Sequence, residues 1–353
     1  MGRIAIIGLG LIGGSIGLAL KRANPENTTL VGYDDINEVM NRARRAGVVD
    51  ETQPTLEHAV RGATMVVVAT PIVAVRSVFR EMSPHLQQHC VVTDTASTKT
   101  DVLRWAAREL PDHVHFVGGH PMAGREKAGL ESAEAGLFEG RPYCIVPTVD
   151  AVGGAVNAVV GMAEAMGAKP MFLDAEEHDA YVAAVSHVPL ISSIALFNLA
   201  RRSGAWPELA NISGPGFRDL TRLASGLPEM GHDIIITNRE NVLHWLRRYS
   251  RELDRLANLI EDQDEDEALF RALTEAQLER DKFLEELPRR DDGKSTVEMP
   301  SSSDAFMTLM TGAMWQDRMK QAQDTMTERS RARIEQDERA RRRRLLEDDD
   351  EDD

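Results

Sequence analysis

The sequence predicts an α/β protein: a mostly parallel sheet covered by helices, followed by an all-helical second domain. Three observations carry that expectation. A glycine-rich turn follows the first apolar run, short apolar runs alternate with helical stretches to about residue 150, and beyond that point the pattern turns helical. Nearly continuous apolar strands are the mark of a parallel sheet buried on both faces. With the glycine turn between the first strand and first helix, the expected topology is of the Rossmann type.

The first strand is read over 3–7, where Ile4-Ala5-Ile6-Ile7 runs into Gly8, Gly10 and Gly13. Gly8 permits the tight turn, Gly10 lets backbone approach a pyrophosphate, and Gly13 lets the next helix pack closely on the sheet. Leu11 and Ile12 lie at the helix N-terminus, whose unpaired N–H groups and partial positive charge suit phosphates. A second strand at 29–33 ends at Asp34, 21 residues beyond Gly13. A carboxylate there accepts bonds from a ribose diol and repels a 2′-phosphate, so the expected cofactor is NAD rather than NADP.

Further strands are expected at 65–69, 90–94, 114–117 and 143–147, with helices at about 12–23, 35–46, 72–83 and 99–109. A helix over 151–166 and a short apolar segment at 169–173 precede a long helix from Ala175 to about Arg202. A helix over 233–260 and a second helix pair at 266–287 follow. The expected domains are 1–150 for dinucleotide binding, 151–288 for substrate binding and dimerisation, and 289–353 as a charged, partly disordered extension. The apolar stripes of the second domain suit core or subunit contact, so a homodimer is expected.

The chain has 353 residues, a formal charge of −16 and two cysteines. That charge argues against a general nucleic-acid binder, and an anionic substrate then depends on local cations. Cys90 and Cys144 form neither a disulfide scaffold nor a metal cluster, and no metal constellation is read. With Met1-Gly2-Arg3 leading into the first strand and Met65–Ala69 too short to cross a bilayer, a cytoplasmic protein without membrane contact is expected.

Open α/β sheets bind ligands beyond the carboxyl ends of their strands. Ala69-Thr70-Pro71-Ile72, Thr93 to Lys99 and Val117 to Gly124 are therefore expected to converge with the glycine turn. His120, read as following a strand, suits proton acceptance near neutral pH or the orienting of a hydroxyl for hydride loss. Position alone favours a structural loop histidine slightly. Ser97 and Lys99 are candidate donors to substrate, although one of Ser97 and Thr98 also fits as a helix cap. His187 in the long helix reads as core or as site lining. Arg218 and Arg222, four apart, suit a carboxylate or surface pairing with Asp219 or Glu229.

Taken together, Gly-Leu-Gly-Leu-Ile-Gly-Gly-Ser at 8–15, Asp94 to Lys99, Gly119 to Gly124, Ser186-His187-Val188-Pro189 and Gly216 to Ala224 resemble the prephenate/arogenate dehydrogenase family of tyrosine biosynthesis, over about 3–285. The resemblance implies NAD-dependent oxidative decarboxylation of a cyclohexadienol, with prephenate the leading substrate and arogenate the alternative. It implies His120 as the histidine bonded to the C4 hydroxyl and Ser97 as the serine positioning that hydroxyl and the nicotinamide. Arg222 is implied as a carboxylate-gripping arginine, His187 as a histidine lining the site, and the helical domain as dimerising. The chain departs from the family pattern at Leu190, where a second histidine is usual, at Ala96 beside Ser97, and at Met230-Gly231-His232, which lacks a tryptophan. Arg125 stands where some members have a small hydroxyl residue and adds a candidate carboxylate contact. A β-hydroxyacid dehydrogenase is disfavoured because 175–200 holds no lysine. A non-catalytic NAD-binding sensor is the remaining alternative.

Overall fold

The computed structural model describes residues 2–23, 28–125 and 127–286; the expected charged extension at 289–353 lies outside them. Eight strands form one sheet: β1 (Gly2–Ile7), β2 (Thr28–Tyr33), β3 (Glu51–Thr52), β4 (Met65–Val68), β5 (Val91–Asp94), β6 (His115–Pro121), β7 (Pro142–Pro147) and β8 (Lys169–Phe172). Their order is β3-β2-β1-β4-β5-β6-β7-β8, and every pairing is parallel except β6 with β7. The order reverses direction at β1, which lies between β2 and β4. This is the switch point at which such sheets open a crevice.

The apolar runs are continuous because successive side chains enter different cores. Ile4, Ile6, Leu30, Met65, Val67 and Val91 belong to one cluster, whereas Ala5, Ile7, Val31, Val66, Val68 and Val92 belong to the other. Helices α1 (Leu11–Ala23) and α6 (Gly153–Ala165) supply Ile16, Leu20, Ala158, Val159 and Met162 to the first. Helices α3 (Leu56–Val60), α4 (Ile72–Met82) and α5 (Thr100–Glu109) supply Val60, Val75, Phe79 and Val102 to the second. Helix α2 (Asn37–Arg45) follows β2. The two-residue β3 and the five-residue α3 escape a pattern search because each is too short for its periodicity to repeat.

Two compact units divide the chain between Asp179 and Ala180, not near 150. The reason lies in α6, whose buried Ala155, Ala158, Val159, Met162 and Ala163 join the sheet's core, and in β8, which adds parallel to β7. The first unit also takes back Ser225–Thr237, including α11 (Pro228–Thr237) with its buried Ile234. The expected helix over 233–260 is accordingly broken at Asn238 (φ −133°, ψ 32°).

Among the described residues the second unit holds Ala180–Ala224 and 238–286. The long helix starts as α7 (Ala175–Val182), passes through a π-turn at Ala183–His187 and continues as α8 (Val188–Arg201). Pro189 has no N–H, and its ring crowds a regular helix; the wider turn accommodates it without ending the helix. Helices α9 (Trp206–Ile212) and α10 (Pro215–Thr221) follow, tied to α8 by the ring cluster Phe197, Trp206 and Phe217. Helices α12 (Arg239–Glu261) and α13 (Asp266–Glu285) complete the unit; α13 is one helix where the sequence suggested a pair. By length and composition Ala175–Arg201 is able to span a bilayer, a property that the sequence reading did not register. Within this chain only 28% of its most apolar window is buried.

At Gly13 an added Cβ falls on the Gly8 carbonyl oxygen, whereas at Gly10 it meets nothing within 4 Å. Gly13→Ala is expected to lower the unfolding free energy by about 1–3 kcal/mol, the usual cost of forcing atoms into a packed interior. Gly10→Ala is expected to leave it nearly unchanged. Urea denaturation of the two variants checks the contrast.

Candidate active site

Parallel register aligns the carboxyl ends of the central strands: Ile7 lies beside Tyr33 and Val68, and Val68 beside Asp94. The segments after β1, β2, β4 and β5 therefore leave from one edge of the sheet. Gly8 makes the first turn with φ +92°, where a Cβ would meet the Ala69 carbonyl oxygen at 2.6 Å. Leu11, Ile12 and Gly13 form the first turn of α1, whose N–H groups precede the helix's own acceptors. The space at Gly10 and these donors together fit a pyrophosphate.

Asp34 follows β2 directly. Its Oδ2 accepts from Leu9 N at 2.9 Å and its Oδ1 from Ile36 N at 3.0 Å, which ties the carboxylate to the glycine turn. Burial raises its pKa, against the pull of those two N–H bonds, and neighbouring Asp35 adds to the rise. Each oxygen keeps acceptor capacity for a ribose hydroxyl. Thr70 Oγ1, after β4, is buried without a hydrogen-bond partner, and Pro71 precedes α4. A dinucleotide fits this set.

His120 lies within β6, paired with Cys144 of β7, and not in a loop after the strand. The antiparallel partner extends β6 beyond its last partner in β5, and this contact between distant segments has no local signature. A buried ion pair holds the same place. Asp94 accepts from Ala96 N at 2.8 Å and Gly119 N at 3.1 Å and pairs with Lys99, whose Nζ also donates to the Gly119 carbonyl at 2.8 Å. The loop after β5 is thereby joined to the residue preceding His120. Gly119 is required there, since a Cβ would approach the Asp94 carbonyl oxygen to 2.6 Å. Lys99 is 0% exposed, so its expected contact with substrate is corrected: the ammonium is enclosed by Asp94 and Gly119. Ser97 remains half-buried in the loop.

Two residues that the sequence reading passed over complete this cluster. His120 Nδ1 lies 2.9 Å from His178 Nε2, and His178 Nδ1 lies 2.8 Å from Asp179 Oδ1. Asp179 also accepts from Lys99 N at 2.7 Å and Thr100 N at 2.9 Å. The start of α5 is thus capped by a carboxylate 80 positions away, not by Ser97 or Thr98. Thr98 instead bonds Thr237 at 2.9 Å. Burial favours the neutral forms of both groups, yet hydrogen bonds from His178 and Thr100 hold the Asp179 carboxyl below its ordinary range. Burial pushes the His178 imidazole down, and the Lys99 charge adds to that, more than Asp179 restores. The available signal was an adjacent His-Asp pair, directly after Glu176 and Glu177, at the head of a helix that is largely apolar beyond it.

Arg125 is exposed and pairs with Glu134 beside a cavity of about 510 Å³ that Arg141 and Glu139 also line. In the second unit His187 is 1% exposed within the π-turn, and Asn238 Nδ2 donates to its Nδ1 at 3.3 Å. Arg218 and Arg222 are exposed at the end of α10. No group of three or more His, Cys, Asp or Glu able to hold a metal occurs among the described residues.

Removing one partner of a buried ion pair leaves the other charge uncompensated, at a cost of about 3–5 kcal/mol. Lys99→Ala is expected to lower the unfolding free energy by that amount, measured by urea denaturation.

Residues 16–172 match the family described as the prephenate dehydrogenase nucleotide-binding domain, and 174–275 the prephenate dehydrogenase dimerization domain. The chain is 34% identical over 292 residues to a prephenate dehydrogenase of Bacillus subtilis, covering 82% of this chain and 77% of that one. It is 32% identical to a cyclohexadienyl dehydrogenase of Zymomonas mobilis, covering 74% and 90%. Among solved structures it resembles the Aquifex aeolicus prephenate dehydrogenase in complex with hydroxyphenyl propionate and NAD+, with TM-score 0.74, 30% identity and coverage of 80% and 98%. A Synechocystis arogenate dehydrogenase gives TM-score 0.69 and 31% identity, with coverage of 80% and 99%. By these matches over both its halves, the chain belongs to the prephenate dehydrogenase family.

Proposed function

We propose that the chain catalyses the NAD-dependent oxidative decarboxylation of prephenate to 4-hydroxyphenylpyruvate and CO2. The observation that carries this reading is His120, fixed at the carboxyl edge of the same sheet whose first turn and Asp34 fit a dinucleotide. Gly8, Gly10, Leu11, Ile12, Gly13, Asp34, Thr70 and Pro71 hold the cofactor. When bound, NAD supplies the hydride acceptor.

His120 takes the proton from the C4 hydroxyl of the ring, which strengthens hydride donation from that carbon. Loss of the ring carboxylate as CO2 returns an electron pair to the ring, and the ring becomes aromatic. The phenolate oxygen then recovers the proton from His120, so prephenate and NAD+ give 4-hydroxyphenylpyruvate, CO2 and NADH with no net proton change. Ser97 positions the hydroxyl. Arg222, with Arg218, His187 and Arg125, supplies the contacts to the substrate's carboxylates, arginine offering the two-bond geometry a carboxylate takes. The Arg125–Glu134 pair opens for that contact.

A second copy of the chain is the proposed partner. Large apolar side chains of the helical unit stand exposed, among them Val185 at 70%, Leu199 at 74%, Ile212 at 79% and Phe270 at 68%. An apolar surface of this extent is normally an interface, and the dimerization-domain match over 174–275 supports that reading. The homodimer is also the proposed cover for the apolar helix Ala175–Arg201. The buried thiols Cys90 and Cys144 suit a reducing cytoplasm.

NADH production with prephenate and with arogenate, each with NAD and NADP, tests the activity. Prephenate with NAD is expected to be fastest; a dominant NADP rate contradicts the role of Asp34, and activity with arogenate alone replaces the substrate. His120→Asn is expected to lower kcat by at least about 10²-fold, the usual contribution of general-base assistance, with NAD affinity nearly unchanged. Near-normal turnover in that variant refutes the assignment. Sedimentation equilibrium is expected to return twice the chain mass of 39.1 kDa.

A further inference from the structure

The geometry points to His178 as a positioning residue that sets which nitrogen of His120 carries the proton, with Asp179 setting His178 in turn. This rests on His120 acting as the base. An ionised carboxylate is acceptor-only. Asp179 already accepts from the backbone N–H groups of Lys99 and Thr100 and lies 2.8 Å from His178 Nδ1, so His178 must donate from Nδ1.

A neutral His178 then has its lone pair on Nε2, which faces His120 Nδ1 at 2.9 Å. His120 must therefore donate from Nδ1 and carry its own lone pair on Nε2. The base is thus made ready at one defined nitrogen. As the proton arrives on Nε2, His120 becomes a cation whose Nδ1–H already meets an acceptor backed by a carboxylate.

The arrangement is rigid. His178 is 0% and Asp179 1% exposed, so water does not compete for either contact. The His120 and His178 rings meet edge to face at 69°, with centroids 5.1 Å apart, which aims one ring's N–H at the other ring's nitrogen. Asp179 is held by two backbone N–H groups at the head of α5 and has little freedom to rotate. Neither His178 nor Asp179 is assigned contact with substrate or cofactor; both act through His120.

The direct test is nitrogen-15 NMR of the full-length protein labelled at histidine, with the His120 signals assigned by their loss in His120→Asn. The Nδ1–H tautomer is expected for neutral His120; an Nε2–H tautomer overturns the proposal. Kinetics gives a second reading. His178→Leu removes the acceptor and is expected to lower kcat by about 10²-fold, the scale of misplacing a catalytic proton, with KM for prephenate nearly unchanged. His178→Gln, whose amide oxygen accepts from Nδ1–H, is expected to recover most of the rate. Equal losses in both variants, or a loss confined to KM, overturn it. Unimpaired turnover in His120→Asn instead removes the base assignment, and the tautomer spectrum still decides the hydrogen-bond chain. The spectrum is read on the wild-type protein and does not depend on either variant folding.

Discussion

The buried Asp94 carboxylate is the constraint on which the rest of the structure depends. It stands at the last residue of β5 and is contacted by Ala96 N, Gly119 N and Lys99 Nζ. Two of these bonds hold the loop that carries Ser97, and one holds the strand that carries His120. Burying two charges is costly, and an apolar pair of similar volume often gives equal or greater stability. What an apolar pair lacks is direction. The ion pair and its hydrogen bonds fix the register of one backbone against another, and catalysis depends on that placement to fractions of an ångström.

A second constraint comes from the sheet. Parallel strands aligned in register present their carboxyl ends together, so the glycine turn, Asp34, Thr70 and the Ser97 loop share an edge without any need for long excursions. His120 reaches the same edge by a different route. Because β7 runs antiparallel to β6, hydrogen bonding continues along β6 to Pro121, past its last partner in β5, Val117 beside Thr93. Strand backbone is a stiffer support than a loop for a residue that must hold its orientation.

Local chemistry explains what was legible in the sequence. The glycine turn at Gly8 to Gly13, the helix start after it and the second strand before Asp34 are legible because they impose their own spacing over a short stretch. The apolar strands are legible because both their faces are buried. Lys99 was misjudged because a lysine in a polar loop gives no sign of the Asp94 carboxylate that encloses it. His178 and Asp179 were missed because their partners, His120 and the head of α5, are 58 and 80 positions away. The boundary expected near 150 failed for a related reason: α6 reads only as a largely apolar helix, and its packing alone assigns it to the sheet. Asn238 gives no strong breaking signal of the kind proline gives, so two helices read as one.

The interposed imidazole also bears on the substrate's charge. Prephenate carries two carboxylates, and the protein's formal charge is −16. A carboxylate bonded directly to His120 would bring a further negative charge within one ring of the reacting centre. Coulomb energy falls with distance and rises steeply in a poorly solvated setting. Placing neutral His178 between them, with ring centroids 5.1 Å apart, moves the Asp179 charge a full ring away while keeping its orienting effect. The Lys99 ammonium, in contact with Asp94, compensates the other buried carboxylate of the cluster. The acids that organise this region are therefore neutralised or set back from His120. Attraction for the anionic substrate is left to the arginines, which the proposed function requires and the composition does not otherwise favour.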